Sequence, residues 1–81
     1  MQLMIDNLPP DATADDLRAL FTELGIPVPQ EITIAPGLRE RPSAAIAFHL
    51  DHAQMEAIVG LLDGRLWRGH QLHARHTALF R

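Results

Sequence analysis

Eighty-one residues with a formal charge of −3, 47% apolar and 21% charged side chains, and no cysteine describe one small globular domain, residues 1–81, without disulfides or thiolate metal sites. Such a chain buries only roughly 60–65% of its unfolded surface, enough for two layers around one core. No apolar run approaches the twenty or so residues of a membrane span and no signal-peptide pattern is present, so no membrane association is expected and the default is a cytoplasmic monomer, or a nuclear one in a eukaryote.

The charge is unevenly spread. Residues 1–38 hold Arg18 against six acids, whereas residues 39–81 hold six Arg, four acids and all five His. An anionic partner is therefore expected on the second half, although the net sign supplies no general attraction. There is no lysine.

Leu3 to Leu8 reads as a strand with Leu3 and Ile5 on the core side and Met4 and Asp6 on the other, because side chains alternate along an extended chain. Pro9-Pro10 stops it. Thr13, with Asp16 three residues later, is a helix N-cap followed by a first-turn acid; Leu17, Leu20, Phe21 and Leu24 form the apolar stripe and Gly25 the left-handed stop. Gln30 to Ile34 is the second strand, with Ile32 and Ile34 inward and Glu31 and Thr33 outward. An exposed loop over Leu38 to Pro42 carries Arg39, Glu40 and Arg41.

Ser43 to Leu50 alternates Ala44, Ile46 and Phe48 inward with Ser43, Ala45 and Ala47 outward, which leaves a small-residue free face. Asp51 and Gln54 cap a second helix whose stripe is Met55, Ile58, Val59 and Leu62, with Leu61 off the stripe, and which ends at Asp63-Gly64. Arg65 to Gly69 makes a hairpin-like connection carrying Trp67. Gln71 to Arg75 is the last strand, with Leu72 and Ala74 inward and Gln71, His73 and Arg75 outward; Thr77 to Arg81 is a tail. This order predicts an α+β, ferredoxin-like βαββαβ fold: a four-stranded antiparallel sheet with both helices on one face and the other face open.

The histidines suggest a metal, but on a strand His73 points away from His70 and His76, and no carboxylate or thiolate stands at ligand spacing. No metal and no cofactor are expected. His49 and His52 read as surface residues, and protonation of the cluster strengthens anion binding at low pH. Catalysis is not expected either: Ser43 is the only serine, cysteine and lysine are absent, and Asp6 has no evident partner to perturb it.

Leu3-Met4-Ile5-Asp6-Asn7-Leu8 resembles the shorter ribonucleoprotein signature of the RNA recognition motif family. Leu8-Pro9 through Thr13, Asp16-Leu17, Leu20-Phe21 and Gly25 resemble its first loop and helix, Arg41 to Phe48 lie where its longer signature belongs, and Leu62-Asp63-Gly64 with Gly69 is similar to its approach to the final strand. The resemblance implies single-stranded RNA as partner, with bases stacked on rings at positions occupied here by Met4, Ser43 and Ala45. No ring stands at any of them, and Pro42 replaces a usual glycine. Each lost platform removes about 1–3 kcal/mol per stacked base, so weak binding is expected.

Arg41, Arg75 and His73 then become the phosphate contacts, beside Met4, Asp6, Ser43 and Ala45. Acylphosphatases share the fold, but they need an arginine in the loop after strand one, and residues 8–13 contain none. The alternative function is protein binding through the ring-free sheet or the helix face carrying Leu61. Trp67 is expected to cover the end of the core, and Phe80 to fold over the sheet or fray.

Overall fold

The alternation of Leu3 and Ile5 with Met4 and Asp6 is realised in the first and central strand, β1 (Gln2–Asp6), in a computed structural model that describes residues 2–35 and 41–77. Helix α1 (Ala14–Leu24), strands β2 (Glu31–Ala35) and β3 (Ser43–Ala47), helix α2 (His52–Leu62), the short strands β4 (Leu66–Trp67) and β5 (His70–Gln71), and β6 (His73–Thr77) follow. The main sheet runs β2-β3-β1-β6, antiparallel throughout. Leu3 lies opposite Ile46, and Ile5 opposite Ala44 and Ala74. These inward rows meet Leu17, Phe21, Met55 and Leu62 from the helices, all at most 1% exposed. The fold is ferredoxin-like α+β, with α1 over β2 and α2 over β6.

Both helices start by the same chemistry. The Thr13 hydroxyl accepts the Asp16 amide at 3.1 Å while the Asp16 carboxylate accepts the Thr13 amide at 3.0 Å. Asp51 and Gln54 make the equivalent pair at 2.8 and 3.0 Å. Each box satisfies two orphan donors of a first turn. The Thr13 amide and the Arg68 guanidinium hold the Asp16 carboxyl below its ordinary pKa, against a weaker opposing effect of desolvation. Gly25 ends α1 at φ 76°, the left-handed conformation in which a Cβ is unfavourable. Phe21 and Phe48, with ring centroids 6.2 Å apart, join α1 to the chain just beyond β3.

The bounds of two predicted strands need adjustment. Strand β3 stops at Ala47 rather than Leu50, although Phe48 still points into the core at 4% exposure. The last strand is displaced: Gln71 pairs with Leu66 in the β4-β5 hairpin, and β6 extends to Thr77, which lies opposite Gln2. Arg68 and Gly69, at φ 51° and 82°, form the two-residue turn of that hairpin. The alternation inside the strand survives the displacement, because Leu72 and Ala74 remain buried and His73 and Arg75 exposed. Trp67 is half-buried against the core, as expected, with the Arg68 guanidinium 5.0 Å from its ring. Leu38, Arg39, Glu40 and Phe80 lie outside the described residues.

Beyond β1 the chain turns at Asn7, which has φ 67° and donates through Nδ2 to the Gln71 carbonyl at 2.8 Å. Asparagine tolerates this conformation better than residues lacking a short polar side chain. Asn7→Ala removes the bond and adds backbone strain, so a loss of about 1–2 kcal/mol is expected. Asn7→Gly removes only the bond and should lose less. Urea unfolding of the two variants checks the order.

Candidate functional site

The outward side chains of the four main strands form three rows across the uncovered face. Thr33, Ala45, Met4 and Arg75 make the middle row, and Glu31, Ala47, Gln2 and Thr77 make one end row. Ala35 pairs with Ser43 and Asp6 with His73 in the other end row. Met4, Ser43, Ala45 and Asp6 are half-buried, whereas His73 and Arg75 are exposed. The strand registers thus bring six of the seven expected site residues onto one surface.

The seventh, Arg41, is exposed two residues before β3 begins. It sits at the sheet end occupied by Ser43, Asp6 and His73. The Leu8 amide donates to the Pro42 carbonyl at 3.1 Å and fixes this approach to the loop after β1.

Asp6 has two close partners, which corrects the expectation that it has none. The Ser43 hydroxyl donates to its Oδ1 at 2.7 Å, and an Arg75 guanidinium nitrogen donates to its Oδ2 at 2.7 Å. Polar groups from β3, β1 and β6 are thereby joined across three adjacent strands. The Ser43 hydrogen bond is the leading cause that holds the Asp6 carboxyl below its ordinary pKa. Partial burial opposes it, and the hydrogen bond and charge of Arg75 and the charge of His73 act in the same direction as Ser43. Sequence could not reveal these contacts, because Ser43 and Arg75 lie 37 and 69 residues along the chain from Asp6.

Gln2 and Thr77 also belong to the surface, and sequence reading missed them by starting the first strand at Leu3 and ending the last at Arg75. The alternation of each strand, carried one step further, would have found both. The histidine geometry also needs correction. Glu56 Oε1 lies 3.5 Å from Nε2 of both His52 and His76, so a carboxylate does stand beside His76 once α2 packs over β6. His70 lies in the β4-β5 hairpin and His73 on the opposite face of β6 from His76.

A profile of the RNA recognition motif matches residues 3–73. The chain belongs to the RNA recognition motif family. No curated protein matches it. Among solved structures, the third RNA recognition motif of Pes4 superposes with a TM-score of 0.79 at 20% identity, covering 99% of this chain and 94% of that one. RNA recognition domains 1 and 2 of Sex-lethal from Drosophila melanogaster give 0.75 at 21% identity, with 96% and 50% covered. The RNA recognition motif of Rna15, solved with bound RNA (GU), gives 0.74 at 17%, with 96% and 83% covered.

RNA recognition motifs are in general RNA-binding modules rather than enzymes. This RNA recognition motif carries no Phe, Tyr or Trp on the described residues of its main sheet.

A depressed carboxylate contributes stability above its unfolded-state pKa and loses it as pH falls through the lower folded-state value. The Arg75 side chain is 60% exposed and that of Asp6 37%, so solvent screening limits the ion pair to about 0.2–1 kcal/mol. Asp6→Asn should therefore destabilise the domain by roughly that amount at neutral pH. Its urea midpoint should approach that of the parent protein as the medium is acidified below the carboxylate range.

Proposed function

We propose that this RNA recognition motif binds single-stranded RNA weakly on its open sheet face, by phosphate contacts rather than base stacking. The observation that carries the reading is the position of Arg75. Its side chain projects from the open face beside Met4 and Asp6 with one nitrogen engaged by Asp6. A guanidinium has five N–H donors in a fixed fork, so donors remain to meet a phosphate. His73 stands on the same strand, and Arg41 lies at the same end of the sheet as His73. The structure of the Rna15 motif with bound RNA supports the choice of partner.

Small side chains explain the weakness. Met4 and Ala45 face one another in the middle row, and neither offers a planar ring to a base. Asp6 adds a second restraint, because its carboxylate offsets the positive charge of Arg75 and so weakens the attraction for a phosphate. Binding by phosphate contacts should weaken as salt rises, since each contact releases counterions from the strand.

A nitrogen–proton NMR titration with mixed-sequence single-stranded RNA at low salt tests the reading. Expected are shifts at Met4, Ala45, His73 and Arg75 that diminish with added salt. Met4→Tyr, which restores one platform, should tighten binding by about 5- to 150-fold, the equivalent of one stacked base. Arg75→Ala should weaken it. A titration that moves none of these amides would exclude the proposed surface and turn attention to protein docking, for which Leu61 on α2 remains an exposed apolar residue.

A further inference from the structure

The inward alternation of β6 places His76 after Leu72 and Ala74 on the side that faces α2. One turn apart on that helix, His52 and Glu56 project toward it. Residues four apart on a helix share a face, so α2 supplies two ligand types at one place and β6 a third. The His52 and His76 rings lie 4.8 Å apart, edge to face, and one candidate ligand atom from each of the three residues lies within 4.8 Å of the others.

The two distances from Glu56 decide what this trio suits. Both imidazole Nε2 atoms are 3.5 Å from Glu56 Oε1, longer than a good N–H···O hydrogen bond. Two ligands bound to tetrahedral zinc at about 2.0–2.1 Å stand about 3.3–3.4 Å apart. Both Glu56–histidine spacings are therefore close to the edge of a zinc tetrahedron, while the two histidines, whose ligand atoms lie within 4.8 Å of one another, must close the third edge by side-chain rotation. Neutral imidazole and carboxylate are ordinary ligands for this ion, and three protein ligands leave a fourth position for water.

We propose that His52, Glu56 and His76 form a Zn2+ site that ties the first turn of α2 to the end of β6, on the helix side of the sheet and apart from the RNA-facing surface. Two features limit its strength. Among the described residues, buried His76 Nδ1 has no hydrogen-bond partner, and a ligating histidine that lacks an acceptor for its second nitrogen binds metal about 10- to 100-fold more weakly. The first turn of a helix also carries a positive partial charge that disfavours a cation there. Neither effect offsets three direct ligand bonds, although together they place the site below a fully supported structural zinc centre in affinity.

The test is titration of the metal-free full chain with ZnCl2, followed by calorimetry and by the imidazole NMR signals, with thermal unfolding measured in parallel. Expected are one zinc per chain, shifts confined to His52 and His76 among the five histidines, and a rise in the unfolding midpoint as zinc exceeds the dissociation constant. Glu56→Gln keeps the side-chain shape and should abolish the shifts and the stabilisation together. His52→Ala alters an exposed side chain and should do the same. Co2+ should give the intense visible bands of a tetrahedral site in the parent protein and lose them in Glu56→Gln. Absence of saturable zinc binding by the parent protein overturns the site, as does binding that moves His49, His70 or His73 and survives Glu56→Gln.

Discussion

The hydrogen-bonded register of β1 between β3 and β6 is the constraint on which everything else rests. Side chains along a strand alternate with a period of two, so a one-residue slip on either side would send Leu3 and Ile5 into water and Met4 and Asp6 into the core. The inward rows resist that slip. Leu3, Ile5, Ala44, Ile46 and Leu72 are completely buried, and their exposure would forfeit roughly 25 cal/mol for each Å2 returned to solvent. Core burial thus fixes which groups face outward, and the polar seam from Ser43 through Asp6 to Arg75 is one result.

Much of this was readable along the chain because it depends on local periodicity. The stripe of Leu17, Leu20 and Phe21, the Thr13 and Asp51 caps, and the alternation of Ala44 and Ile46 each follow from neighbours within a few residues. The limits of the last strand were harder to see. Gln71 and Leu72 continue the alternating pattern of His73 and Ala74, but a hairpin turn with positive φ at Arg68 and Gly69 takes Gln71 into a separate ladder. Periodicity does not mark where one ladder ends and the next begins.

The surface chemistry was only partly legible for a different reason. Six of the seven expected residues could be assigned to the open face from strand parity, yet their mutual contacts depend on which strands become neighbours. Asp6 meets Ser43 and Arg75 only after the order β3-β1-β6 is set. Glu56 meets His76 only after α2 lies over β6. Linear spacing among histidines and acids is blind to both, since it counts residues along one element and these pairs come from different ones.

Among the described residues, strand β6 is hydrogen-bonded to a neighbouring strand along one side only, while the Asp63 carboxylate accepts the Ala74 amide at 3.0 Å. Its alternate side chains serve the two opposite surfaces of the domain. Peeling this strand away would withdraw Arg75 from one surface and His76 from the other in a single event. The two surfaces therefore share one point of mechanical failure, and whatever clamps the strand from either side slows its detachment for both.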